Sequence, residues 1–367
     1  MSGGRAWYLL RVQLRRRMGP QDVPPGETRA PRAPLDGVLD AIGDTPLVSL
    51  RRFLGRDDIA VWAKLEAANP GGSAKDRPAE GMLRDALARG VIGPGSTVIE
   101  SSSGNLGVGL AQACRYHGMH LICVVDARAN DTNIRTMRAL GADVRVVTRP
   151  DPETGELLVA RLRLVADLLA SMPGSFWPNQ YANEASPAAH AAGTMREIDQ
   201  ALEGDLDYLF VATSTAGTLR GCVDYLRENE RETRVVAIDA AGSALFGGQL
   251  GRRLLPGFGA GVESPLSLGA ELDELVRVSD LDCVIGCRRL AEREAILAGA
   301  SAGGVAFALE SLSPGMPSQS RCAAILHDGG RGYLETVYDD GWVERELGCA
   351  PERLAALIAA DPPAPVR

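Results

Sequence analysis

Only two lysines occur in the chain, Lys64 and Lys75, among 39 lysines and arginines together. Arginine stays protonated and forms no Schiff base, so a lysine retained in an arginine-rich chain raises a chemical question. Lys64 lies in the strand-like run Ala63-Lys64-Leu65-Glu66, where it pairs or points outward. Lys75 lies in Asn69-Pro-Gly-Gly-Ser-Ala-Lys-Asp-Arg-Pro78, a Gly-rich turn opening a helix. Pro78 suits a first helical turn, where no intrahelical N–H bond is lost. Positive potential at the helix start would lower the Lys75 pKa toward a reactive amine. By itself the segment is equally compatible with a lysine that only packs.

Three more turns carry small residues and hydroxyls. Glu100-Ser-Ser-Ser-Gly-Asn-Leu-Gly107, between a strand and a helix, presents N–H groups and hydroxyls that suit an amino-acid carboxylate. Plain helix capping explains it as well. Ala212-Thr-Ser-Thr-Ala-Gly-Thr218 follows a strand and forms a cup for a phosphate, without the Gly-Lys-Ser/Thr of a Walker loop. Gly299-Ala-Ser-Ala-Gly-Gly304 precedes a helix expected from near Val305, and tight packing alone accounts for it. The G-x-G-x-x-G fingerprint and its ribose-binding acid are absent, which sets a nicotinamide reductase aside.

The elements that must hold these turns alternate along the chain. Strands are expected at Ile59–Leu65, Thr97–Ile99, Leu121–Val125, Val144–Val147, Tyr208–Ala212, Arg234–Ile238 and Ala323–Leu326. Helices are expected at Leu106–His117 and Asn133–Leu140, and loops at Asp151–Gly155 and Ser311–Ser320. Such alternation implies an α/β fold with mainly parallel sheets flanked by helices. The length of 367 residues suggests two domains. Residues 1–35, with Trp7-Tyr8-Leu9-Leu10 between arginines and a Pro-rich stretch, read as a flexible tail. Residues beyond Pro351 read as a helical turn and then a fraying Pro362–Pro365 segment.

A net charge of −8 argues against nucleic acid. No apolar run of membrane length is present. Seven scattered cysteines without a C-x-x-C pair give no metal site and suit a reduced, cytoplasmic protein.

Taken together and in order, these motifs resemble the fold-type II pyridoxal-phosphate enzymes, the cysteine synthase and cystathionine β-synthase family with a tryptophan synthase β-like fold. The resemblance runs from about Gly37 to Tyr338 and begins with Ile42-Gly-Asp-Thr-Pro-Leu47. It implies pyridoxal 5'-phosphate as cofactor, with Lys75 holding it and later acting as general base. It implies Asn105 on the cofactor's 3-oxygen, Ser214, Thr215, Ala216, Gly217 and Thr218 around its phosphate, and Ser301 facing the pyridine nitrogen. Ser102, Ser103, Gly104 and Gln180 match positions that hold the substrate carboxylate. It further implies a large domain of residues 36–66 and 190–340, a small mobile domain of residues 67–189, a C-terminal extension from 341, and a homodimer.

Several residues depart from an ordinary cysteine synthase: Leu106 after the Asn, Ser-Thr-Ala-Gly-Thr as phosphate loop, Gln180-Tyr181, Pro78, and Arg331-Gly-Tyr-Leu-Glu-Thr-Val-Tyr-Asp-Asp340. This set is similar to the siderophore-type 2,3-diaminopropionate biosynthesis enzymes, the N-(2-amino-2-carboxyethyl)-L-glutamate synthases. Those join O-phospho-L-serine to L-glutamate. Arg161, expected just before a helix, would then face the leaving phosphate, or would simply be a solvated arginine beside Arg163. Tyr181 and Ser214 would make the second-substrate site polar. A sulfide-using cysteine synthase, acting on O-phosphoserine or O-acetylserine, and a non-catalytic regulatory protein of the same fold stand as alternatives.

Overall fold

The computed structural model describes residues 33–127, 129–155 and 157–360. The Trp7–Leu10 run and Pro362–Pro365 lie outside the described residues. Contacts divide the chain after Asp36, and the unit from Gly37 onward carries every element below.

In chain order the elements are β1 (Leu47–Ser49), β2 (Ala60–Leu65), α1 (Asp76–Ala88), β3 (Thr97–Ser101), α2 (Asn105–Tyr116), β4 (His120–Asp126), α3 (Asp131–Ala139), β5 (Asp143–Val147) and α4 (Leu157–Ser171). Then follow α5 (Ala185–His190), α6 (Arg196–Ala201), β6 (Tyr208–Ala212), α7 (Gly217–Glu228), β7 (Arg234–Ala240), β8 (Glu274–Val278), α8 (Asp280–Glu294), α9 (Ala300–Leu312), β9 (Arg321–Leu326), α10 (Asp340–Leu347) and α11 (Pro351–Ala359).

The strands form two sheets, one of order β1-β2-β9-β6-β7-β8 and one of order β3-β4-β5. All pairings are parallel except β1 with β2, an antiparallel edge. Inner strands such as Leu209–Ala212 and Leu121–Asp126 are buried without interruption, as strands covered on both faces must be. Because β2, β9 and β6 are parallel neighbours, their C-terminal ends emerge side by side. Ligands of open α/β sheets bind at such ends.

β1 and β8 were not expected: three residues leave no period to read, and Glu274-Leu-Val-Arg-Val278 is half exposed at an edge. Two loop assignments are corrected. Ser311 belongs to α9, which ends at Leu312, and α9 begins at Ala300 rather than near Val305. The Gly299–Gly304 turn is therefore mostly the first turns of that helix. Small residues there serve close packing, since a Cβ on Gly303 would overlap the Cys283 carbonyl of α8. Beyond Pro351 the helical turn is a nine-residue helix held by Arg289, whose Nε and Nη2 donate to the Ile358 and Leu357 carbonyls.

A buried ionic cluster joins β2, α1 and α6 beneath the Lys75 turn. Lys64 Nζ lies 2.6 Å from Glu197 Oε2 and is 2% exposed. Arg77 reaches Glu66 Oε2 and Glu197 Oε1, each at 2.7 Å. Burial pushes the Glu197 carboxyl up, but Arg77 and Lys64 outweigh it and hold it down at about 2. Glu197→Ala would leave two buried cations without their shared anion, and urea unfolding should show a loss of about 3–5 kcal/mol. A loss under about 1 kcal/mol would mean that water or Glu66 takes over.

Candidate functional site

Lys75 is the N-cap of α1, and its backbone is fastened to the end of β9. Ala74 N donates to the His327 carbonyl at 2.7 Å, and Ser73 forms a bridge with Asp328. Among the described residues the Lys75 side chain has no hydrogen-bond partner, and burial lowers its pKa, against the opposing field of Asp328. Desolvation has this effect because removing water penalises the ammonium form, and Lys75 stands at the helix start, as expected.

A cavity of about 660 Å³ opens at this lysine. Lining it are Lys75, Ser102, Ser103, Gly104, Asn105, Arg161, Gln180, Tyr181, Ser214, Thr215, Ala216, Gly217, Thr218 and Ser301, every site residue expected from sequence. Ser102 to Asn105 link β3 to α2, and Ser102 Oγ accepts from Gly107 N at 3.1 Å. Gln180 arrives by a different route. After α4 the chain runs beside β3, where Phe176 exchanges hydrogen bonds with Thr97 and Ile99. That alignment delivers Gln180 to the loop, its Nε2 donating to the Ser101 carbonyl at 2.9 Å.

Arg161 sits inside α4, a correction to the expectation of a position before a helix. Its Nη1 donates to Ser103 Oγ at 2.6 Å, and its Nε lies 3.3 Å from Asp126 Oδ2. At 12% side-chain exposure it is no solvated helix-face arginine, unlike Arg163 at 49%. Tyr181 stands in the same wall, and burial raises its hydroxyl pKa.

The loop after β6 enters α7 through Ala216 in the left-handed conformation, φ 66°. Ser214 to Thr218 thereby gather at the start of a twelve-residue helix, where free N–H groups and the helix dipole favour an anion. Ser264 Oγ steadies the loop at the Thr215 carbonyl, 2.7 Å away. His190 Nε2 lies 3.2 Å from Thr218 Oγ1. Burial holds this imidazole well below its ordinary pKa, so it is neutral.

Glu100, buried under the Ser101–Asn105 loop, accepts from Trp177 Nε1 at 3.1 Å and Gln180 N at 3.2 Å. Burial pushes its carboxyl up to about 7. A carboxyl raised above its ordinary 4.5 holds its proton more tightly when folded. Its stability contribution is therefore complete below that value and is lost as pH rises through about 7. Thermal midpoints should fall across this window, and Glu100→Gln should reduce the slope; Asp76, pushed by burial to about 7, supplies a remainder. An unchanged slope in scanning calorimetry would exclude Glu100.

Sequence reasoning missed His327, Asp328 and Tyr333, which also line the cavity. His327 and Asp328 are brought there by following β9, and Tyr333 by the turn Gly330–Tyr333; Tyr333 belongs to the Arg331–Asp340 stretch quoted above, to which no site role was given. The loop Leu250–Val262 was missed as well.

These residues match a cofactor with an aldehyde, a phosphate and a ring nitrogen. An unpartnered, desolvated lysine amine, an anion cup and the Ser301 hydroxyl share one cavity. The pyridoxal-phosphate dependent enzyme family matches residues 38–328. The chain belongs to that family. It is an enzyme of this family with pyridoxal phosphate as its cofactor, and its residues fit that group.

Among relatives, the chain is 42% identical to the N-(2-amino-2-carboxyethyl)-L-glutamate synthase of Ralstonia nicotianae, over 89% of this chain and 95% of that one. It is 41% identical to the Cupriavidus metallidurans protein of the same name, over 89% and 96%. Among solved structures it resembles O-ureido-L-serine synthase, with TM-score 0.76, 32% identity, and 85% and 99% of the chains covered. It also resembles the O-acetylserine dependent cystathionine beta-synthase of Helicobacter pylori, with TM-score 0.77, 29% identity, and 83% and 99% covered. Among the described residues of this pyridoxal-phosphate enzyme no cysteine–histidine–carboxylate group could hold a metal, and no helix is long and apolar enough to cross a membrane.

Proposed function

We propose that the chain condenses O-phospho-L-serine with L-glutamate, giving N-(2-amino-2-carboxyethyl)-L-glutamate and phosphate as a step toward 2,3-diaminopropionate. The observation that carries this reading is the Arg161 guanidinium bonded to the Ser101–Asn105 loop inside the Lys75 cavity. A phosphate leaving group calls for such a cation, and guanidinium–phosphate bonds are among the stronger hydrogen bonds. The relatives' printed name, at 41–42% identity, supports the same reading.

When bound, pyridoxal phosphate supplies an electron sink that lets an α-proton and a β-leaving group depart from an amino acid. The chain's residues do the rest. Lys75, its pKa lowered by burial, takes the α-proton as general base and returns it. The Ser214–Thr218 loop would hold the cofactor's phosphate at the α7 start, and the neutral Ser301 hydroxyl would serve the ring nitrogen. Asn105 would donate to the 3-oxygen. Ser102, Ser103, Gly104 and Gln180 hold the substrate carboxylate, and Arg161 takes the departing phosphate. Tyr181 and Ser214 provide polar contacts for glutamate. The Cβ–O bond to phosphate breaks and a Cβ–N bond to glutamate forms. The proton released by glutamate's ammonium balances the one that the phosphate takes up.

We also read residues 67–189 as a small domain that closes to exclude water and residues 36–66 with 190–340 as the large one, supported by the two separate sheets. A homodimer is expected, and sedimentation would test it.

The deciding experiment is mass spectrometry after mixing the cofactor-loaded protein with O-phospho-L-serine and either L-glutamate or sulfide. A glutamate adduct with phosphate release is the expected result. Cysteine from sulfide without a glutamate adduct would overturn it in favour of cysteine synthase.

A further inference from the structure

The roles above leave the buried Asp328 carboxylate, which lines the cavity, unused. Asp328 follows β9 and is 6% exposed. Its Oδ2 accepts from Asn105 Nδ2 at 2.8 Å and from the Tyr333 hydroxyl at 2.9 Å. Among the described residues its Oδ1 has no hydrogen-bond partner, and it lies against Gly299, where any Cβ would overlap it. A glycine at 299 is thus required for the carboxylate to occupy this place. Burial raises the Asp328 pKa, and the hydrogen bonds from Asn105 and Tyr333 and the charge of Lys75 oppose it by favouring the carboxylate.

An amide side chain has a donor end and an acceptor end of nearly equal shape, and its neighbours decide which way it turns. A carboxylate accepts only, so it draws the NH2 end of Asn105 toward itself and keeps the carbonyl end away. That nitrogen carries two hydrogens, and Asp328 takes one. The second stays available to another acceptor in the cavity. Tyr333, donating to the same oxygen, holds the carboxylate in this orientation.

We propose that Asp328 is a positioning residue that sets the Asn105 amide so that its second N–H, not its carbonyl, meets the 3-oxygen of pyridoxal phosphate. The inference rests on the reading of Asn105 as the 3-oxygen's partner. Asp328 touches no reacting atom in this role; it acts through Asn105. An asparagine at 328 could satisfy Asn105 from either of its own ends and would remove the bias.

The test is spectroscopic, on the cofactor-loaded protein at fixed pH. Asp328→Asn should lower the ratio of the long-wavelength to the near-ultraviolet band about two- to tenfold, the worth of one hydrogen bond. Asn105→Ala should shift it in the same direction, and the double variant should go no further than Asn105→Ala. Bands unchanged in Asp328→Asn but shifted in Asn105→Ala would overturn the role of Asp328, as would additive shifts in the double variant. Bands unchanged in Asn105→Ala would instead remove the reading of Asn105. If Asp328→Asn does not fold, as judged by its melting curve, Tyr333→Phe decides. It should give a smaller shift of the same sign, and wild-type bands there would sink the proposal.

Discussion

Lys75→Ala protein given pyridoxal phosphate should show no lysine-linked visible band and should turn over O-phospho-L-serine about 10³-fold or more slowly. The size of the effect follows from two roles resting on one amine, the covalent attachment and the proton transfer. The chain holds no substitute, because its other lysine is committed elsewhere. Lys64 Nζ donates to the Thr45 carbonyl at 2.7 Å and pairs with Glu197. Lys64→Ala is the matching control: it should lose stability and keep the band. A visible band that survives in Lys75→Ala and vanishes in Lys64→Ala would reverse the assignment.

Arg161→Ala should reduce kcat/KM for O-phospho-L-serine about 10- to 100-fold, the range for a hydrogen bond to a charged group. O-acetyl-L-serine, whose leaving group carries less charge, should lose under about tenfold. That residual loss is expected because Arg161 also bonds Ser103 Oγ, so its removal loosens the carboxylate loop for any substrate. The ratio of the two losses is therefore the informative quantity. Equal losses in parallel steady-state assays would leave Arg161 as a loop anchor and nothing more.

Much of the site was legible before any coordinate. The turns at Lys75, Ser102–Asn105, Ser214–Thr218 and Ser301 are short and contiguous; each alone also suits capping or packing, and it is their joint occurrence in this order that points to the site. Strands were legible where burial on both faces makes an uninterrupted apolar run, as at Tyr208–Ala212. They were illegible at β1 and β8, where edges are short or half exposed and carry no clear period. The start of α9 was misjudged because Gly303 and Gly304 look like a turn, while their smallness answers to the neighbouring helix α8. Arg161 was noticed, but its setting was wrong by a turn of helix, and only its bond to Ser103 separates it from Arg163.

The sequence by itself determined the α/β alternation, the lysine that can carry an aldehyde cofactor, and the turns that can bind an anion. These depend on residue type and on neighbours a few positions away. Tertiary structure alone decided that the Lys75 amine is buried, which lowers its pKa. It alone decided that Gln180 reaches the Ser101 carbonyl across β3's edge, and that Asp328 meets Asn105 from 223 positions away. Burial and hydrogen bonding are properties of position in space, and the parallel crossovers that bring the ends of β2, β6 and β9 together put distant residues side by side without leaving a mark in their local sequence.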